Sequence, residues 1–187
     1  MMITNVLLLS EDKLKSYSEI SDNLYGKSLM PAIKTSQELY LQGILGSCLY
    51  QKLLSLVADG SIIDDENVAY KDLLDGYCTP YLIERTIADL IPIVGSKIAN
   101  LGVYKSQDEY TSNVSAGEVD RLQYSHVVKA DHYAKRMQNF LKGNRSAYPE
   151  LDACGCADVK PNLDSAEDVS LYLGGRRGRR LSKQSCC

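Results

Sequence analysis

The segment 80–92 constrains this chain more than any other. Its apolar residues Tyr81, Leu82, Ile83, Ile87, Leu90 and Ile91 fall nearly all round a turn of 3.6 residues. A helix without a polar face has to be wrapped by other elements, so this segment is expected to be the most buried helix of the protein. Thr79-Pro80 opens it. Pro92 should end or kink it, because the ring removes an N–H and collides with the carbonyl one turn back.

The elements available to wrap it also read as helices. Ser10 before Glu11-Asp12 places a hydroxyl cap and two acids at the start of a short helix, about 11–17. The apolar run before it, 3–9, reads as a short strand or loop. Ser28 is expected to cap a second helix with Pro31 in its first turn. Met30, Ile33, Leu39, Tyr40, Leu41 and Ile44 form one apolar stripe, and Leu49, Tyr50, Leu53, Leu54, Leu56 and Val57 form a second. Gly46 interrupts between them, so the two stripes should meet at a bend, and Gly60 should end the second. Asp64-Asp65-Glu66 reads as the acidic start of a helix over 66–76. The stretch 93–103 is either a continued helix or a loop, and 105–114 an exposed loop. The longest pattern spans 116–142, roughly 40 Å at the helical rise, with Val119, Leu122, Val127, Ala130, Tyr133, Ala134, Met137, Phe140 and Leu141 on its apolar side. Gly143-Asn144 and Tyr148-Pro149 end it.

Beyond Leu151 the helical period stops. The expectation is an all-α protein: a small helical bundle at 1–151 and a long irregular C-terminal arm at 152–187. The arm holds one short strand, Val169 to Leu173, if that segment finds a partner edge. The alternative for the arm is a tail with no fixed structure. Its tip, Gly174-Gly175-Arg176-Arg177-Gly178-Arg179-Arg180, is the one unusual motif. Glycine leaves the backbone free, and arginine offers a planar fork to phosphates or carboxylates. Nucleic acid, an acidic groove on a partner protein, and plain solvation all fit it. From Arg176 to Cys187 there are five basic residues and no acid. The other 175 residues carry 16 basic and 24 acidic side chains, a balance unlike that of a general DNA binder.

Classes of function can be set aside. No stretch approaches the ~18 apolar residues of a membrane span. The first nine residues lack a basic region and a sufficient apolar run for a secretory signal, so a soluble protein in a reducing compartment is expected. Phosphate-loop, dinucleotide, zinc-protease and nucleophile-elbow motifs are all missing from the sequence. His126 and His132 are six apart, hence on different helix faces. Cys48 and Cys78 sit in apolar helical surroundings and read as small core residues. Cys154-Gly-Cys156 and Cys186-Cys187 have the wrong gaps for zinc and read as adventitious thiols. The expectation is therefore no enzyme, no metal and no cofactor. There are thirteen tyrosines, one phenylalanine and no tryptophan, which suits half-buried and interface positions as well as a core.

Ile20-Ser21-Asp22-Asn23, Leu29-Met30-Pro31-Ala32-Ile33, Leu45-Gly46-Ser47, Leu49-Tyr50 with Leu53, and Tyr148-Pro149-Glu150-Leu151 together give residues 3–151 a likeness. They resemble the head–tail connector (adaptor) proteins of tailed phages, in particular those of crAss-like phages of Bacteroides-type bacteria. The resemblance implies a structural virion protein at the head–tail junction, assembled in host cytoplasm. It implies a homo-oligomeric ring, commonly of about twelve copies, that extends the DNA channel. The implied partners are the portal protein, the next tail or ring protein, and passing genomic DNA held without sequence preference, with no membrane. An acidic channel wall would repel DNA and let it slide. The arm would make the main contact to another chain, through Leu171, Tyr172, Arg176, Arg177, Arg179 and Arg180. The rival readings are a nucleic-acid-binding regulator that uses the Arg/Gly segment, and an enzyme built on His126 or His132 beside a carboxylate in a pocket.

Overall fold

The computed structural model of the chain describes residues 6–18, 26–94, 96–99, 102–105, 116–153 and 158–163. The fold is all-α, with one small hairpin added. Among the described residues six α-helices run in the order α1 (Glu11–Ser16), α2 (Gly26–Thr35), α3 (Gln42–Ala58), α4 (Val68–Leu73), α5 (Thr79–Val94) and α6 (Ala116–Gly143). Strands β1 (Ser96–Ala99) and β2 (Gly102–Lys105) pair antiparallel, Ser96 opposite Lys105 and Ala99 opposite Gly102. The stretch read as helix or loop is thus the end of α5 followed by this hairpin.

As the sequence requires, α5 is the central helix. Leu82 and Ala88 are fully buried, and Tyr81, Ile83, Ile87 and Leu90 nearly so. Its main cover is α6. Cys78 Sγ lies 3.8 Å from Met137 Sδ, and Glu84 Oε2 lies 2.7 Å from His126 Nδ1. Moving forward along α5 therefore moves backward along α6, so the two are antiparallel. α2 packs on another side of α5. The leucines of α3 (Leu45, Leu49, Leu53) and of the other helices (Leu14, Leu29, Leu73, Leu141) close one continuous core.

Local signals mostly act as expected. Ser10 caps α1, its hydroxyl accepting from Lys13 N–H at 3.2 Å. Gly60 follows α3 in the left-handed conformation, φ 78°. Other boundaries differ. α2 already begins at Gly26, so Ser28 lies inside the helix and Pro31 is in its interior. Pro92 also sits within α5, which ends two residues later at Val94. The helix expected to stop at Gly76 does not stop: a π-helical stretch, Leu74–Cys78, carries α4 straight into α5. A second π-helical stretch, Ser36–Leu41, joins α2 to α3. The wider turn there places the Gln37 amide against the N-terminal segment. Gln37 accepts from Leu8 N–H at 3.0 Å and donates to Val6 O at 2.8 Å. One side chain thus satisfies backbone groups that would be costly to bury bare, and Leu8 and Leu9 sink into the core.

Candidate functional site

The arm residues singled out from the sequence, Leu171, Tyr172, Arg176, Arg177, Arg179 and Arg180, lie outside the described residues, as does the strand expected at 169–173. What the structure defines is the segment leading to them. Gly46 adopts φ 75° and ψ 159° inside α3, a conformation closed to other residues, and kinks the helix. The kink releases the normal ladder partners of Gly43 O and Ser47 N–H. Residues 158–163 take them up. Ser47 N–H donates to Val159 O at 2.9 Å, and Asn162 N–H donates to Gly43 O at 3.1 Å. Ser47 Oγ donates to Asp158 Oδ1 and accepts from Val159 N–H at 3.1 Å. The Ser47 hydroxyl holds the Asp158 carboxyl below its ordinary range. Gln138 on α6 donates to Asn162 O at 3.1 Å, and Leu163 is buried in the core. This strap rests in the notch with no room to spare: a Cβ on Gly46 would stand 2.7 Å from both the nitrogen and Cδ of Pro161.

Next to the strap, Cys48 is buried, as expected of a small core residue, but it is disulfide-bonded and not a free thiol. Cys78 is free and buried as expected, and burial pushes its thiol well up from the usual range.

A second feature lies at the far side of α5. Lys13, Tyr17, Asp75, Thr79, Pro80, Ile83, Glu84 and Tyr133 line a cleft of about 540 Å³. Glu84 is mostly buried and pairs with His126, and Lys129 approaches to 3.9 Å. His132 sits on the exposed side of α6 with its ring edge toward Tyr133. A histidine beside a carboxylate was one mark of the enzyme reading. Here, however, His126 does not line the cleft, and the Glu84 carboxylate is engaged by it. Thr79 Oγ1 is buried without a hydrogen-bond partner among the described residues. Those residues contain no cluster of three or more histidines, cysteines and acids that could hold a metal ion.

Asp75 bridges two elements at the cleft mouth. Lys13 Nζ and Lys71 Nζ each lie 2.7 Å from its carboxylate, and these hydrogen bonds hold its carboxyl below the ordinary value. A lowered folded-state value gives stability that is present above the unfolded value, near ~3.9, and is lost as pH falls through the folded value. Asp75→Asn should therefore lower the unfolding free energy at pH 7, by no more than about 1 kcal/mol for pairs this exposed. The gap between the two proteins should close by pH 2, and a gap of the same size at both pH values would count against the ion pairs.

The third feature is a set of exposed apolar side chains. Tyr124 and Val128 stand one turn apart on α6, 69% and 48% exposed, while Leu122, on another face of α6, and Ile93 on α5 are about half exposed. No described helix is long and apolar enough to cross a membrane.

Fold and strap together define a small helical body with residues 158–163 fixed across the kink of α3. Residues 41–161 match a Family of unknown function (DUF6712), and the chain belongs to that family. The matched span opens on Leu41, just before α3, and closes on Pro161, so it contains the kink and the strap as far as Pro161, with Asn162 and Leu163 beyond it. No curated protein and no solved structure matches the chain.

Proposed function

We propose that this chain is a structural connector, forming a homo-oligomeric ring between the portal and the tail of a tailed phage. In this reading the helical body builds the ring wall and the C-terminal arm docks on another chain. The observation that carries it is the rooted strap. Residues 158–163 are pinned across α3, and Leu163 is buried, so the chain is held at one defined place up to Leu163. An arm rooted in this way loses less freedom on docking than one that begins as a loose tail. The connector-like motifs cited above support the same reading. Leu45-Gly46-Ser47 builds the notch, and Tyr148-Pro149-Glu150-Leu151 caps the bundle below α6. Tyr124 and Val128, one turn apart on α6, supply apolar contact for a neighbouring copy, and the arginines of the tip supply contact for an acidic surface.

The test is mass by light scattering. Full-length protein and a chain ending at Leu163 are each measured alone and with a candidate portal. Full-length protein is expected to join the portal in a stoichiometric complex, and the shortened chain to fail. If full-length protein stays monomeric, ignores the portal and binds nucleic acid tightly with steep salt dependence, the regulator reading replaces this one.

A further inference from the structure

We infer that the outer face of α6 is a contact surface for a second copy of the chain, which crosses it antiparallel about a two-fold axis at the level of residue 126. The buried side of α6 is fixed by Ala130, Met137 and Leu141, and by His126, which meets Glu84 of α5. At about 100° per residue, Asp120, Arg121, Tyr124, Val128, Asp131 and His132 share one stripe on roughly the opposite side of the helix. All six are exposed. Tyr124 and Val128 are large and apolar, and the other four carry a charge or an imidazole.

The order of these residues selects what covers them. Tyr124 lies two residues before 126 and Val128 two after it. Arg121 and Asp131 lie five before and five after, and Asp120 and His132 six before and six after. When two copies of a helix cross antiparallel about a two-fold axis, a residue before the axis faces the one equally far after it on the other copy. An axis at 126 therefore sets Tyr124 on Val128, Arg121 on Asp131 and Asp120 on His132, each pair twice. Opposite charges facing each other fix the register, and like charges facing each other are costly. Parallel pairing would set Arg121 on Arg121 and each acid on itself. Antiparallel pairing shifted by one turn would set Val128 on Asp120, or Arg121 on Lys135. A shallow crossing, near about 20°, keeps the two helices together from Asp120 to His132, roughly 18 Å. A closed ring is built from head-to-tail contacts, whereas this contact uses the same patch on both chains. It joins free chains, and because it covers Tyr124 and Val128 it withholds them from a ring neighbour. The inference goes beyond the connector reading and does not rest on it.

The experiment is sedimentation equilibrium of full-length protein from about 1 to about 300 µM. One pair of helices buries less than a standard interface, so the dimer should be weak, with monomer and dimer both populated within this range. Arg121→Glu sets an acid on Asp131, and Asp131→Arg sets an arginine on Arg121, so each variant alone should dimerise at least about tenfold more weakly. Mixed one to one, the two variants regain both opposite-charge pairs and should form a heterodimer as tight as the original dimer. Both positions are exposed, and recovery on mixing shows that the loss came from the facing charges and not from misfolding. Full-length protein that stays monomeric throughout overturns the inference, as does a dimer that ignores both substitutions. Loss without recovery, in variants whose circular dichroism matches the original, overturns the antiparallel register. Direct assembly into a large ring that neither substitution affects overturns the two-fold contact and leaves the connector reading standing.

Discussion

Gly46→Ala is expected to lower folding stability by about 4 kcal/mol in urea denaturation. Two costs add. The first is conformational. At φ 75° and ψ 159° the backbone is in a region open to glycine almost alone, and forcing another residue there costs about 1–3 kcal/mol. The second is steric. The new Cβ would stand 2.7 Å from the nitrogen and Cδ of Pro161. Both are parts of a rigid ring fused to the backbone, so no flexible side chain can swing away. Relief requires the strap to lift, which breaks the bonds from Ser47 N–H to Val159 O and from Asn162 N–H to Gly43 O. Gly60 is the control. Its φ is 78° but ψ is near 0°, and a Cβ there meets nothing within 4 Å. Gly60→Ala should therefore cost about 1 kcal/mol, the left-handed penalty by itself. If the two variants lose the same stability, the notch does not hold the strap tightly and the steric argument is wrong.

The contrast between these glycines marks what local sequence can convey. Both were legible as interruptions, Gly46 between two apolar stripes and Gly60 after Asp59. What fills the kink was not, because Asp158 is 111 residues from Ser47 and no local pattern encodes a meeting at that distance. Helices with a strong stripe were legible nearly to the residue: α6 was expected over 116–142 and runs Ala116–Gly143. The π-helical stretches were not. A π turn inserts one residue into a helical period, and over five or six residues that looks like the end of one helix and the start of another. Gly76 and Thr79-Pro80 looked like a break for this reason, and Leu74–Cys78 carries the chain through them.

The candidate site divides in the same way. The spacing of His126 and His132 correctly placed them on different faces of one helix, but the Glu84 partner of His126 is 42 residues away and had no sequence signal. Cys48 read as a core residue from its apolar helical surroundings, and it is buried, but its disulfide had no sequence signal. Covalent pairing leaves no trace in such a pattern.

Tyr148→Ala should also cost about 4 kcal/mol, and Tyr148→Phe about 1 kcal/mol, in the same denaturation measurement. Tyr148 follows α6 in an irregular stretch, where a solvent-facing loop residue would be ordinary, yet it is 1% exposed. Its ring meets Tyr70 edge-on at 5.7 Å and Phe140 at 6.1 Å. Phe140 in turn stacks on Tyr77 at 4.1 Å. The cluster joins α4, the π-helical stretch, α6 and the turn at Pro149, so removing its most buried ring opens a cavity between elements distant in sequence. The hydroxyl donates to Ala69 O at 2.9 Å on α4, and burial pushes it up to about 12, so it stays protonated through the ordinary pH range. Phenylalanine keeps the ring and loses that bond, leaving a backbone carbonyl short of one partner. The ratio of the two losses decides what Tyr148 contributes. A phenylalanine variant nearly as unstable as the alanine variant would mean that the hydrogen bond, and not the packing, ties the end of α6 to α4. In that case Tyr148-Pro149 would close the bundle through polarity, and the adjacent bond from Tyr70 to Glu150 at 2.8 Å would have to be counted as part of the same clasp.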